Sequence, residues 1–192
     1  MTGSPELHIG ESLSEQAGSM DAALVRDALA GDARASEQIV ATYHRRVFNF
    51  IHQMTKQRQD AEDLTQQTFI RAFANLSRFE PGRPLINWLL TIARHGTLNH
   101  FRAARSWEVV PENIPAIEPS PASIAAGREE AENIWDRART ILPRRQFEVL
   151  WLRFGEELSV KETAQVVGLT QTHVKILVFR ARRLLLKGEL LS

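Results

Sequence analysis

The sequence of 192 residues contains no cysteine, which excludes disulfides, cysteine-ligated zinc sites and thiol catalysis. No apolar run is long enough to span a bilayer and no secretory signal opens the chain, so we expect a cytoplasmic protein without membrane insertion. The formal net charge is only +1, so affinity for an anionic partner has to come from local clusters of basic residues. An apolar fraction of 43% is sufficient for one core or two small ones.

Signatures of catalysis and of cofactor binding are also missing from the sequence. The six histidines include no helical His-Glu-x-x-His pair, and no glycine-rich phosphate loop joins a strand to a helix. His95 and His100 are five residues apart, which is a poor spacing for two metal ligands on one helix face. We therefore expect no enzymatic activity, no small-molecule substrate, no cofactor and no metal.

Helical periodicity extends over most of the chain, whereas strand alternation and internal repeats are not convincing anywhere. Residues 1–20 are rich in Gly, Ser and Glu and are predicted to form a disordered tail. Helical spacing begins near Asp21 and pauses at Gly31, and a proline-rich stretch at residues 107–127 is predicted to be a flexible linker. The pattern predicts an all-α protein with two small helical domains, at residues 21–106 and 128–192.

A helix with two distinct faces is predicted from Asp60, interpreted as its N-cap, over the sequence DAEDLTQQTFIRAFANL. One face is apolar and includes Leu64 and Phe69. The opposite face is a polar strip with an apolar centre, consisting of Asp63, Gln66, Gln67, Ile70 and Arg71. Such a strip suits a protein partner, although periodicity alone is equally compatible with a solvated helix face.

The next helix is predicted from about Leu85 towards Arg105, after a Pro-Gly-Arg-Pro sequence that breaks the preceding one. It contains no acidic residue, which favours a nucleic-acid face. The candidate DNA contacts on it are Asn87, Arg94, His95, Asn99, Arg102 and Arg105. Trp88 shares helical spacing with Leu85 and Leu89, so we expect it in the core rather than as a platform for base stacking.

Residues 160–179, VKETAQVVGLTQTHVKILVF, match the pattern of a DNA-reading helix-turn-helix. Ala164 is the small residue that this motif needs where its two helices cross, and Gly168 supplies the positive φ of the turn. Ser159 and Glu162 have the spacing of a capping box, and Thr170 stands at the N-cap of the second helix. The ends of both helices therefore agree with the apolar periodicity between them.

The second helix of this motif is strongly basic, because residues 170–187 include five lysines and arginines and no acid. The first turns of a recognition helix enter the DNA groove, whereas later residues meet the phosphates. Base contacts are predicted for Gln171, Thr172, His173 and Lys175, and phosphate contacts for Arg180, Arg182 and Arg183. An ordinary helical hairpin with a solvated basic face is the alternative.

Taken together, DAEDLTQQTFIRAF, RFEPGRPLINWLLTIAR and the helix-turn-helix resemble a bacterial sigma factor of the sigma-70 family. More narrowly, the chain is similar to the extracytoplasmic-function (ECF, group 4) type, which keeps only region 2 and region 4. The resemblance implies that residues 21–106 bind core RNA polymerase and recognise and melt the minus-10 element. It implies that residues 128–192 recognise the minus-35 element.

The resemblance also assigns roles to particular residues. It implies that the helix at Asp60 meets core polymerase, through Asp60, Asp63, Gln66, Gln67, Ile70 and Arg71. It implies that an anti-sigma factor holds the protein until a signal arrives. His95, Asn99, His173 and Ile176 stand where the family often has other residues, so the resemblance does not specify the base preferences. The competing hypothesis is a helix-turn-helix regulator that binds an operator without recruiting polymerase, which leaves the Asp60 motif unexplained.

Overall fold

The computed structural model describes residues 20–107 and 126–189, with side chains over residues 20–104 and 134–187. The helices are α1 at residues 20–29, α2 (Ala33–Thr55), α3 (Arg58–Ala74), a 3-10 turn (Leu76–Arg78), α4 (Leu85–Trp107), α5 (Ala126–Ile141), α6 (Arg144–Phe154), α7 (Val160–Val167) and α8 (Gln171–Glu189). No strand occurs within these ranges, and the all-α fold class is confirmed. All of the predicted tail except Met20, and all of the predicted linker except residues 107, 126 and 127, lie outside the described residues.

The chain divides into two compact units, with the boundary between Ala103 and Ala104. In the N-terminal unit, α2 packs against α3. Asp32 caps the start of α2 by accepting a hydrogen bond from the backbone N–H of Arg34. The core of this unit is aliphatic and aromatic, and its fully buried members include Ile39, Val47, Phe50, Leu85 and Leu89. The predicted pause at Gly31 and Asp32 therefore corresponds to the break between α1 and α2.

Asp21, in the first turns of α1, connects three helices of the N-terminal unit. Its side chain is 3% exposed, and it accepts a hydrogen bond from the hydroxyl of Tyr43 on α2. The other carboxylate oxygen accepts from the backbone N–H of Leu85, the first residue of α4, at 2.6 Å. The first N–H groups of a helix have no partner within the helix and carry partial positive charge, so a carboxylate is well suited to this place.

The hydroxyl of Tyr43 should titrate unusually late. Burial, reinforced by Asp21, raises its pKa well above the ordinary value. The folded protein then keeps a proton that the unfolded chain releases near pH 10, so this contribution to stability is complete below about pH 10 and is lost as the pH rises further. Tyr43 is the only tyrosine, so tyrosinate absorbance reports it directly. We expect a higher midpoint in the folded protein than in denaturant; equal midpoints would contradict the buried hydrogen bond.

Three buried threonines of α3 and α4 satisfy their hydroxyl groups by hydrogen bonds within their own helices. The hydroxyl of Thr65 donates to the carbonyl of Ala61 at 2.6 Å, and that of Thr68 donates to the carbonyl of Leu64 at 2.7 Å. Thr97 on α4 makes the same bond within its own helix. A buried hydroxyl that finds a partner one turn earlier avoids the cost of an unsatisfied donor, so these threonines are compatible with burial in the core of the unit.

The predicted start of α3 was wrong. The helix begins at Arg58, with Gln57 at the N-cap and no side-chain cap, so Asp60 lies inside the first turn. The carboxylate of Asp60 is 3.3 Å from Nε2 of His100 on α4. An acidic residue in the first turn is favoured by the helix dipole, so Asp60 remains at a suitable place for its charge although it does not cap the helix.

The C-terminal unit is built on an aromatic cluster between α5 and α6. The ring of Trp135 lies edge-on to Trp151 at 4.7 Å between centroids and to Phe147 at 6.1 Å. Helix α8 packs on α5, α6 and α7. Its buried residues are Val174, Leu177 and Ala181. These contacts leave the opposite face of α8 outside the core of the unit.

Candidate polymerase-binding and nucleic-acid surfaces

The outer face of α3 is a continuous exposed strip. Asp63, Gln66, Gln67 and Ile70 are all exposed, and Ile70 retains 61% of its surface. Ala61, Leu64 and Phe69 occupy the buried face of the same helix. The structure thus brings together four of the six residues predicted to meet polymerase, with an uncovered aliphatic side chain among amides and a carboxylate. We call these four residues the α3 strip.

The other two predicted contacts, Asp60 and Arg71, lie at the edge of α3 that faces α4. Asp60 pairs with His100, and Nη1 of Arg71 lies 3.7 Å from the position that a Cβ atom would occupy at Gly96. The guanidinium of Arg71 therefore lies against α4 at Gly96, at an ordinary contact distance. Arg71 is exposed and Asp60 is partly covered. Because both side chains lie against α4, they help to connect α3 to it.

Helix α4 presents a polar face with no acid on it. His95, Asn99 and Arg102 are exposed and recur at a spacing of four and three residues, which places them on one side of the helix. Nη1 of Arg102 lies 3.4 Å from the Oδ1 atom of Asn99. Arg94 is half-buried beside this group, and the side chain of Arg105 lies outside the described residues. We call His95, Asn99 and Arg102 the α4 face.

Two residues near the start of α4 are less exposed than the α4 face. Asn87 was predicted to contact DNA, but its side chain is only 6% exposed, since it lies in the first turn beside Leu85 and Ile86. A direct base or phosphate contact is not supported for it. Trp88 is half-buried, and the ring of Phe79 lies against it at 5.8 Å between centroids in an edge orientation. This packing agrees with the prediction of a structural role for Trp88.

The helix-turn-helix has the local geometry that its sequence predicts. Ser159 and Glu162 form a complete capping box at the start of α7. Gly168 has φ of 67° at its C-terminus, and Ala164 is buried. The backbone N–H of His173 donates to Oγ1 of Thr170 at 3.2 Å, which confirms Thr170 as the cap of α8. These predictions are confirmed, and α8 begins at Gln171, directly after its cap Thr170.

All the DNA contacts predicted on α8 are exposed, and they occupy its outer side: Gln171, Thr172, His173, Lys175, Arg180, Arg182 and Arg183. The guanidinium of Arg182 also lies over the ring of Phe154 at 5.1 Å, and that of Arg153 lies over the same ring at 5.7 Å. Burial and the neighbouring Arg182 together lower the pKa of Arg153. Arg182 thus packs on an aromatic ring and remains exposed.

Two family models match the chain, Sigma-70 region 2 over residues 39–107 and Sigma-70, region 4 over residues 135–185. The chain belongs to the sigma-70 family. It is similar to the ECF RNA polymerase sigma factor BldN of Streptomyces coelicolor, with 34% identity over 169 residues, which are 84% of this chain and 63% of BldN. It is also similar to the ECF RNA polymerase sigma factor SigM of Bacillus subtilis, with 26% identity over 148 residues, which are 77% of this chain and 90% of SigM.

A solved structure supports the same assignment at the level of the fold. The sigma factor RpoE from Bartonella quintana, in complex with the anti-sigma factor NepR, matches with a TM-score of 0.62 and 25% identity, over 79% of this chain and 94% of that chain. The assignment made from sequence, a sigma factor of the ECF type, is confirmed. The operator-binding regulator is not favoured, because that hypothesis leaves region 2 unexplained.

Part of the outer surface of this sigma factor was not predicted as a site. Phe179 on α8 is 65% exposed and lies three residues after Ile176, which is also exposed. The spacing of the apolar residues could have located this part of the surface. The buried side of α8 is defined by Val174, Leu177 and Ala181, which places Ile176 and Phe179 on the other side. Among the described residues, no helix is long and apolar enough to cross a membrane, and no three acidic or histidine side chains cluster as metal ligands would.

Proposed function

We propose that this chain is a group 4 sigma factor that binds core RNA polymerase, directs it to promoters and assists the melting of DNA. The observation that carries the proposal is the presence of two basic helix faces in separate units of a sigma-70 protein, one on α4 and one on α8. A single operator-binding domain needs only one of them. The proposed place of action is the cytoplasm, where core polymerase and promoters are found.

The N-terminal domain predicted from the sequence, residues 21–106, is proposed to bind core polymerase through the α3 strip. Protein interfaces typically bury an apolar side chain among polar contacts once the partner is bound. Ile70 is exposed in this chain and has polar neighbours on the α3 strip, so it suits the role of such an anchor. Asp60 and Arg71 contribute at the edge of the same surface. The α4 face, with Arg94 and Arg105, is proposed to hold the minus-10 element, because opened DNA strands are held by cations and hydrogen-bonding groups.

The C-terminal domain predicted from the sequence, residues 128–192, is proposed to read the minus-35 element with α8. The first turns of α8 offer base contacts through Gln171, Thr172, His173 and Lys175, and the later arginines offer phosphate contacts. Base contacts select a sequence, whereas phosphate contacts strengthen binding to every sequence. Replacement of Arg180 should therefore weaken binding to every promoter by a similar factor.

An anti-sigma factor is the proposed regulator of this chain. RpoE of Bartonella quintana was solved together with the anti-sigma factor NepR, and the α3 strip and α8 are exposed surfaces that such a protein could cover here. Gentle purification from the native cell tests this part. Repeated recovery of only the free chain and its polymerase complex would count against a dedicated inhibitor.

Reconstituted transcription tests the proposed function. Core polymerase, the full chain and a genomic promoter library should give discrete start sites that are absent without the chain. We expect Asp63→Ala combined with Ile70→Ala to reduce initiation about 10-fold or more, the equivalent of about 1.4 kcal/mol, by weakening the binding of core polymerase. His95→Ala combined with Arg102→Ala should reduce initiation to a similar degree while core binding is retained, with the loss seen in permanganate footprints of the opened strands.

Controls separate these effects from a general loss of surface residues. Leu29 on α1 and Arg45 on α2 are exposed and lie outside both faces, so Leu29→Ala and Arg45→Ala should leave initiation unchanged. If the folded chain supports no initiation with a compatible core enzyme, the proposed function fails and the operator-binding regulator takes its place. If both double variants behave like the controls, the two assigned surfaces are wrong.

A further inference from the structure

The exposed face of α8 is not uniformly polar. Ile176 is 42% exposed in the second turn of the helix, on the side opposite the buried Val174 and Leu177. Its exposed neighbours three and four residues away are Thr172, His173, Phe179 and Arg180. Because Ile176 keeps 42% of its surface outside the core, part of this aliphatic side chain is available to a partner.

The location of Ile176 along α8 puts it within reach of base edges. The hydrogen bond from His173 to Thr170 fixes the helix start, so Ile176 is the sixth residue of α8, which begins at Gln171. The early turns of a recognition helix lie deepest in the major groove. Residues four apart are neighbours on one helix face, so Ile176 extends the surface that Thr172 begins.

The chemistry of isoleucine restricts what it can recognise. It has no hydrogen-bond donor or acceptor, so it cannot pair with the polar edge of any base. The major groove presents one apolar group, the C5-methyl group of thymine. We propose that Ile176 is a specificity-determining residue that selects thymine at one position of the minus-35 element by packing on this methyl group. The inference rests on the proposed function, since it requires that α8 reads promoter DNA.

The test compares thymine with deoxyuridine, which lacks only the methyl group. Holoenzyme containing the full chain first selects its preferred minus-35 sequence from a randomised library. Each thymine of the selected duplex is then replaced singly by deoxyuridine, and binding is measured. We expect one position at which the replacement weakens binding about 3–5-fold, the worth of one buried methyl group. Ile176→Ser should bind both duplexes equally, at about the lower affinity.

A matched control is available on the same helix. Leu186 is 62% exposed but lies ten residues later, about 15 Å further along the axis, where the helix has left the groove. Leu186→Ser removes a similar apolar surface and should keep the discrimination between thymine and deoxyuridine. Ile176→Val, which retains a branched apolar side chain, should keep most of it.

Three results would overturn the inference while the proposed function stands. They are a selected minus-35 sequence without thymine, a wild-type holoenzyme indifferent to every methyl group, and an Ile176→Ser variant that still discriminates. In each of these cases initiation continues, so α8 reads DNA by other contacts. A folded chain that supports no initiation and selects no sequence removes the proposed function, and this inference with it.

Discussion

Replacing Asp21 by alanine is expected to lower the free energy of unfolding of the N-terminal unit by about 2–5 kcal/mol, because two buried donors lose their acceptor. The hydroxyl of Tyr43 and the backbone N–H of Leu85 both donate to this carboxylate, and both residues are buried. Each buried donor left without a partner costs about 1–3 kcal/mol. The loss also releases the first turn of α4, which precedes the α4 face on the same helix.

Chemical denaturation followed by circular dichroism measures the effect, and hydrogen exchange at the Leu85 amide assigns it to the start of α4. Asp27→Ala is the matched control, because it makes the same substitution on α1. Within the part of the chain that the structure describes, Asp27 pairs with the exposed Arg26 at 3.1 Å, and such surface pairs contribute little. Equal losses for the two variants would show that Asp21 does not connect the helices as its hydrogen bonds indicate.

Replacing Gly155 by alanine is expected to destabilise the C-terminal unit by about 1–3 kcal/mol. A Cβ atom at this position would lie 2.8–3.0 Å from three ring atoms of Trp151, closer than carbon atoms approach in folded proteins. The ring cannot move away freely, because Trp151 is buried and packs edge-on against Trp135. The change therefore disturbs the aromatic cluster on which α8 packs. The near-ultraviolet circular dichroism of that cluster should decrease together with the free energy of unfolding.

Gly96→Ala provides the comparison for this prediction. A Cβ atom there would meet Nη1 of Arg71 at 3.7 Å and Cδ2 of Leu64 at 4.0 Å, which are ordinary contacts. Glycine inside a helix costs about 0.5–1 kcal/mol relative to alanine, so this variant should be neutral or slightly more stable. If both variants changed stability equally, the crowding at Gly155 would not be the cause.

The local features of the chain were predictable from sequence because their causes are local. A capping box needs only Ser159 and Glu162 three residues apart, and the turn of the helix-turn-helix needs only a residue such as Gly168 that adopts positive φ. The buried and exposed sides of α3 follow from periodicity, since neighbours at three and four residues share a face. The family motifs then indicated what these surfaces serve.

The start of α3 shows where this reasoning fails. Asp60 has the residue type of an N-cap, but Gln57 occupies that position without a side-chain bond, and the carboxylate of Asp60 lies beside His100. These two residues are 40 positions apart along the chain, so no local pattern indicates their contact. Asn87 shows a related effect, since a polar side chain on a basic helix was predicted on the DNA face and the fold leaves it only 6% exposed.

The sequence by itself determined the helical elements, the caps of the helix-turn-helix and the membership of the sigma-70 family, because short-range geometry and recurring motifs carry that information. Only the tertiary structure decided that Asn87 of α4 is buried, and which distant groups meet. Asp21 and Leu85 are 64 residues apart, and no periodicity connects them. A hydrogen bond of that kind depends on how whole helices pack, since burial and partner choice are properties of the assembled core.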